Sequence, residues 1–441
     1  MKKKFNYDGW KNLFTGQGVV GKDKQLANQF VRGLKLTDTT LDNLYRGDGF
    51  GKRIVNLING EIVREWFEVI GDTDGEINKY LANLKAKSFC GKALRWADVF
   101  GGSALVLGLN DGGKFEDPLD INQLKGIEFL RVYDRRRVTW THQYLYSDPN
   151  DKKFGLPQFY DITPVNNTAT VLYKVHESRL ILFDGRDVTD QFRVENNGWG
   201  DSIYQSIFEQ LSNLNGSYFS VKNILDDFIQ TIIKLNNLEE LLAAGEEDQI
   251  RTRMEIMDLS RHIMNMIFID KNEEYEKKSS TITGIPDVMD RFSLALSAVT
   301  GIPLTLLMGQ SPAGLNATGA SDIRQWYDKI SAEQEERFLT AAERLVFLSM
   351  VSKEGPTKGK ILDGWGVEFN PLWQPTDKEI CETRKTQAES DGIYIDRGVL
   401  TAEEVAQSRF GGEEYSHETT LDETIDRSPV TEEPIEKPTE E

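Results

Sequence analysis

Cysteine and histidine are scarce in this chain of 441 residues: Cys90 and Cys381 are its two thiols, and His142, His176, His262 and His417 its four imidazoles. Two cysteines exclude a disulfide framework and a cysteine-based zinc site, and they suit a reducing compartment. The histidines are not paired at ligand spacing and no HExxH occurs, so neither a metal nor a cofactor is expected. No run of eighteen apolar residues is present, so no membrane span is expected. MKKKFNYDGWKNLF starts basic, but Asp8, Lys11 and Asn12 interrupt it, and it does not read as a signal peptide. Excess positive charge is also missing. The formal charge is −19, of which residues 413–441 supply −9 through eleven acidic and two basic residues. A protein that grips DNA through phosphates shows a basic footprint. Here either DNA is irrelevant, or it meets a surface that must not hold it.

What is there is an α+β pattern long enough for two or three domains. RIVNLINGEIVREWFEVI (53–70) has apolar residues at helical spacing and a β-like end, GDTDG is a turn, and residues 76–98 form a further helical pattern. Ser103–Leu109 reads as a strand between glycines, and residues 127–185 as a mostly antiparallel sheet. Residues 201–267 turn helical, with Gly216 as a soft spot, FIDKNEEYEKKSSTIT suggests two short strands, and residues 286–298 a helix. After Gly319 comes the strongest helix, with Ile323, Tyr327, Ile330, Gln334, Phe338, Ala341, Leu345 and Leu348 on one face. It predicts one rod of about thirty residues, roughly 45 Å long. GVEFNPLW is a short strand. Thr376 with Glu379 opens a second helix as a capping box, and TAEEVAQSRF a third. The acidic, Pro/Thr/Glu-rich tail is expected to be disordered.

Several motifs invite chemistry and lack its context. GQGVVG (16–21) has dinucleotide glycine spacing without the flanking strand and helix, RGDGFGKR (46–53) lacks the P-loop ending, and DTDGE (72–76) starts like a calcium loop but fails at Lys79 and Leu81. His176 beside Ser178 could pass for a base near a hydroxyl, and reads better as structural at a strand exit. On a strand, Arg135 and Arg137 of RVYDRRRVTW would share one face and Arg136 the other. That is either a phosphate contact or, preferred here, a solvated sheet edge.

TGIPLTLLMGQSPAGLNATGASDIRQWYDKISAEQEERFLTAAERL (300–345) resembles the signature of tailed-bacteriophage portal (head–tail connector) proteins, in particular the phage-associated portal-like family found in prophages. VEFNPLWQPTDKE, GVLTAEEV and VHESRLILFDGRD strengthen the resemblance, which spans about residues 25–411. It implies a portal fold with an α/β wing, a two-helix stem, a small β-containing clip and a short helical crown. Laid on this chain, it gives an N-terminal arm (1–45), wing (46–319), first stem helix (320–351), clip (352–375), second stem helix (376–390), channel loop and crown-side helix (391–411) and acidic tail (412–441). SPAGLNATG then becomes a joint into the stem, since Gly314, Gly319 and Pro312 permit a tight turn.

The resemblance further implies a homo-oligomer, a dodecamer, at one capsid vertex of the virion, assembled in the host cytoplasm. Double-stranded DNA would pass through it without sequence specificity. Its partners would be the terminase large subunit, the major capsid protein and head–tail adaptor proteins, and it would not be an enzyme. Candidate channel-facing residues are Glu379, Glu382, Glu389 and Asp391, balanced by Lys378, Arg384 and Lys385; an acidic wall would keep the duplex centred. Val367, Phe369, Leu372 and Trp373 are candidates for a clip interface, and Trp326, Tyr327, Phe338 and Leu345 for stem packing, or else for the ordinary core of one subunit. Two other classes remain open. One is a non-channel structural adaptor. The other is a phosphodiesterase, which would need paired His-x-Thr/Ser motifs, and none is expected in this chain.

Overall fold

The computed structural model describes residues 35–164, 172–227, 231–235, 266–270, 284–309, 320–374 and 377–410. The chain divides into two compact units, Met1–Leu372 and Trp373–Glu441.

The first unit begins with two capped helices. Thr37 accepts from the Thr40 amide to start α1 (Asp38–Gly47), and Asp48 accepts from Gly51 to start α2 (Gly49–Arg64). Ile54, Val55, Ile58, Ile62 and Val63 of α2 are buried at the three-and-four spacing the sequence shows. β1 (Phe67–Val69) follows, then the turn DTDG. That turn is an N-terminal cap and not an ion loop: the Asp72 carboxylate accepts from the amides of Glu76 and Ile77. The helix predicted over 76–98 is two helices, α3 (Glu76–Asn83) and α4 (Ala86–Phe100), because Lys85 takes a left-handed φ of 54° between them.

β2 (Gly102–Asn110) is buried over almost its whole length as the middle of an antiparallel sheet, with β3 (Gly126–Asp134) on one side and β7 (Leu180–Asp184) on the other. Leu105 and Leu107 enter the larger core with α2 and α4, while Ala104 and Val106 face a smaller one. The smaller core is closed by β4 (Val138–Thr139), β5 (Phe159–Ile162) and β6 (Tyr173–His176), a second antiparallel sheet, and by Trp199. Arg135–Arg137 form a 3-10 turn, where strand alternation was expected. Arg135 bonds to the Phe100 carbonyl and to Asp38, while Arg136 reaches Asp42 and Asp134 and lies 3.8 Å from the Phe100 ring. The basic patch therefore staples α1 to the sheet, and neither the phosphate nor the open-edge reading describes Arg135 or Arg136.

After α5 (Asp190–Glu195) the long α6 (Ile203–Asp227) packs against α7 (Ile285–Thr300). Thr231–Leu235, expected to be helical, is the strand β8, paired in parallel with β9 (Met266–Asp270). Of the stretch at 300–319, residues 300–309 are described and carry the short α8 (Leu304–Met308); the SPAGLNATG joint lies outside the described residues, as do GQGVVG and the acidic tail.

The predicted rod over 320–351 is a bent pair, α9 (Ala320–Arg337) and α10 (Leu339–Val351). Phe338 departs from helical geometry (φ −117°, ψ −28°), with its ring buried among Trp66, Phe67 and Phe369. Backbone bonds from Phe338 to Gln334 and from Ala342 to Phe338 continue across the bend. β10 (Val367–Phe369) then pairs with β1, Phe67 opposite Phe369.

In the second unit, α11 (Asp377–Asp396) runs through residues 391–396, where a loop was expected, and ends before Gly398 with its φ of 69°. α12 (Ala402–Phe410) begins on a capping box: Thr401 accepts from the Glu404 amide, and the Glu404 carboxylate accepts from Thr401.

Candidate functional site

Three glycines bring the first unit's charged centre together. Gly101 ends α4 at φ +88°, and a side chain on Gly102 would overlap the Trp199 indole. Gly185 donates to the Gly101 carbonyl, and Arg186 and Asp201 exchange backbone bonds at 2.8 and 2.9 Å. This crossing aims Arg186 at Asp98 of α4, which is wholly buried, and at Glu333 of α9. Arg186 Nη1 lies 2.7 Å from Glu333 Oε1, and its Nε 3.1 Å from Asp98 Oδ1. Arg337, one turn after Glu333, reaches Asp98 Oδ1 at 2.8 Å and Glu333 Oε2 at 3.0 Å. Asn59 of α2 donates to Asp98 Oδ2 at 2.6 Å. Two carboxylates thus face two guanidiniums. Burial by itself would raise the pKa of both acids, but the two arginines overcome it and hold Asp98 and Glu333 below the usual carboxylate range.

The cluster fixes α9. Gln334, read as the polar member of an apolar face, donates to the Ile62 carbonyl at 2.8 Å, and Lys329 reaches the Thr300 carbonyl at 2.5 Å. α9 is therefore registered by polar contacts as well as by the buried Trp326 and Ile330. Beside the cluster runs a groove of about 580 Å³ between β7 and the α9–α10 pair, lined in part by Lys153, Glu177, Leu182, Arg337 and Arg344. Ser178 on its wall is engaged: its hydroxyl accepts from the Leu119 amide and lies 2.8 Å from His176 Nδ1, which itself accepts from the Ser178 amide. His176 is buried, and burial lowers its pKa. Among the described residues, no group of acidic, histidine or cysteine side chains could hold a metal ion.

The sequence-derived candidates fall into two sets. Trp326, Phe338 and Leu345 are buried in the first unit's core, and Tyr327 is half-buried against Arg64, whose Cζ lies 5.4 Å from its ring. Of their two readings, ordinary core of one subunit is the one their burial describes. Val367 and Phe369 in β10 pack on that same core, and Leu372 is 7% exposed. These three contribute to the fold of the chain's own first unit, because β10 completes a ladder with β1. Trp373, half-buried, belongs to the second unit. There, Glu379, Glu382 and Glu389 are exposed on α11, with Lys378–Glu382 and Lys385–Glu389 at i,i+4 separations of 3.8 and 3.7 Å. Asp391, expected to face a channel, is buried in the single chain. The sequence reading missed Asp98, Glu333 and Arg337. Their signal was faint: a Glu-x-x-x-Arg pair on a helix usually lies in solvent.

Against the expectation of none, two His-x-Ser/Thr triplets occur, His176-Glu-Ser178 and His417-Glu-Thr419. The first is the engaged pair just described, and the second lies outside the described residues.

The family model described as phage portal protein matches residues 39–393. The chain belongs to that family. This portal-family chain is also similar to curated proteins named anti-CBASS protein Acb1 from a Caulobacter species (27% identical over 87% of this chain and 62% of the relative) and from Sphingomonas paeninsulae (25% identical, 91% and 64%). It spans less than two thirds of the length of both. An uncharacterized protein of Haemophilus influenzae is 25% identical over 90% of this chain and 88% of that one. Among solved structures, a chain from the neck of a native GTA particle, computed with C12 symmetry, aligns at 14% identity over 82% of this chain and 89% of its own, with a TM-score of 0.46. A chain from the neck of an empty GTA particle, computed with C6 symmetry, gives 13% identity and a TM-score of 0.47 over 86% and 96%.

Proposed function

We propose that this chain is the subunit of a ring-shaped DNA conduit at one capsid vertex, serving genome packaging, retention and ejection and joining head to tail. The observation that carries the reading is the family match, which runs through the first unit and into α11 of the second. The state of α11 supports it. Its twenty residues are exposed on nearly every side in a single chain, with ion pairs along the surface and Ile393, Tyr394 and Ile395 in the open at its end. A helix without a buried stripe gains little from its own chain, and neighbouring copies around a ring would supply the missing packing. Glu379, Glu382 and Glu389 are then available to line the passage, where carboxylates repel phosphate and keep the duplex sliding.

In this reading the ring is a dodecamer in the virion, built in the host cytoplasm. It contacts the terminase large subunit, the major capsid protein and head–tail adaptors, and ATP hydrolysis belongs to the terminase. Reversing Glu382 and Glu389 to lysine should lower the DNA retained in particles; packaging and retention equal to wild type would count against the acidic wall. The chain is proposed to be no enzyme, although two relatives carry the Acb1 name, because the His176–Ser178 pair is engaged in capping a turn. Hydrolysis of bis(p-nitrophenyl) phosphate that is lost in His176→Ala would reverse that statement.

A further inference from the structure

Two faces of the first unit, on α4 and on the α9–α10 pair, leave outward charge unanswered, and with opposite signs. On α4 the stripe of Lys85, Ser88, Lys92 and Arg95 faces outward, Lys85 and Lys92 exposed and Arg95 partly so. It contains no carboxylate, since the helix's one acid, Asp98, is buried in the cluster. Lys52 of α2 extends it, lying over the Tyr45 ring that packs edge-on against Trp96. None of these four cations makes an ion pair among the described residues. On α9 and α10 the exposed positions include Asp322, Asp328, Glu335, Glu336 and Glu343, with Arg324 as the cation among them. None of these five carboxylates has a cationic partner among the described residues either. Elsewhere in the same unit, outward carboxylates such as Asp38, Asp42 and Glu61 are paired with arginines.

We infer that the basic face of α4 in one copy docks on the acidic face of α9–α10 in the next copy. The inference rests on the ring reading and names the contact that would close it. Charge complementarity selects the occupant. The acidic run from Asp322 to Glu336 covers about 21 Å of helix and the basic run from Lys85 to Arg95 about 15 Å, so the acidic stripe is long enough to span the basic one. Both α4 and α9 pack on α2, and the basic and acidic stripes are different surfaces of the chain. A contact between two different faces is head-to-tail, and head-to-tail contacts generate rings when the rotation closes. A two-fold dimer would instead set each face against itself, where like charges repel.

The test uses two full-length variants. Lys92→Glu with Arg95→Glu sets two carboxylates against the acidic face, and Glu335→Lys with Glu336→Lys sets two cations against the basic face. Mass photometry should show each variant alone needing at least about tenfold more protein to assemble than wild type, with thermal unfolding unchanged. Mixing them at equal amounts should restore wild-type assembly, because the two kinds of copy alternate and every contact is again complementary. Either variant assembling like wild type, or a mixture that stays dispersed, would overturn the inference while leaving the ring intact. A wild-type chain that never assembles would instead overturn the ring reading itself. A third outcome is that the Lys92/Arg95 variant assembles normally but loses binding to duplex DNA in a mobility shift; that would assign the basic face to nucleic acid and also overturn the docking proposal.

Discussion

At the residue scale, removing one member of the Asp98–Arg186–Glu333–Arg337 cluster should cost more than the whole cluster contributes, because a partner is left charged and buried. Asp98→Ala is expected to lower stability by about 3–5 kcal/mol in urea unfolding; a loss under about 1 kcal/mol would mean the arginines find other acceptors. The folded pKa values of Asp98 and Glu333 lie below their unfolded values. Their contribution is therefore complete above the ordinary carboxylate range near 4, and is lost as pH falls through the depressed folded values. The urea midpoint should drop on going below about pH 4, with a shallower drop in Asp98→Asn. The two thiols offer a second check. Burial pushes Cys90 up to about 12, whereas Cys381 is exposed. Iodoacetamide should modify Cys381 in the native chain and both in denaturant. Such burial is not legible in the sequence: nothing around Asp98 in LRWADVF separates it from a solvated acid, because its arginine partners come from positions more than eighty residues away.

At the element scale, two glycines should respond in opposite senses. Gly216 lies within α6 with open space where a Cβ would stand. Gly216→Ala should raise stability by about 0.5–1 kcal/mol, by lowering the freedom of the unfolded chain. Gly102→Ala should destabilise by about 1–3 kcal/mol, since its methyl would enter the Trp199 ring at the start of β2. Thermal unfolding of both variants checks the pair. Periodicity revealed α2, α7 and the existence of α9–α10, because each has one buried face and a local pattern to show for it, and β2, buried on both faces, showed as an apolar run between glycines. It did not reveal the bend at Phe338, the 3-10 turn at Arg135–Arg137 or the helical state of 391–396. The first two are fixed by contacts with distant segments, the aromatic cluster around Phe67 and the carboxylates of α1. The third has two outward apolar residues, Ile393 and Ile395, spaced as on a strand.

At the scale of the whole molecule, the surplus of acid acquires a use. The tail holds part of it, α11 displays Glu379, Glu382 and Glu389, and α9–α10 displays five carboxylates unpaired among the described residues. Under the ring reading, one acidic surface meets DNA and another meets the next copy. Assembly should therefore weaken with salt, as exposed charge pairs are screened within about 3 Å at 1 M ionic strength. Purely apolar contacts would strengthen or stay level under the same change, so mass photometry across a salt series distinguishes them. Negative-stain imaging of the concentrated wild-type chain, with its mass measured by light scattering, tests the central claim most directly. The account predicts closed rings with an open centre and a mass near twelve times 50.1 kDa; compact particles without a hole, at any mass, would contradict it.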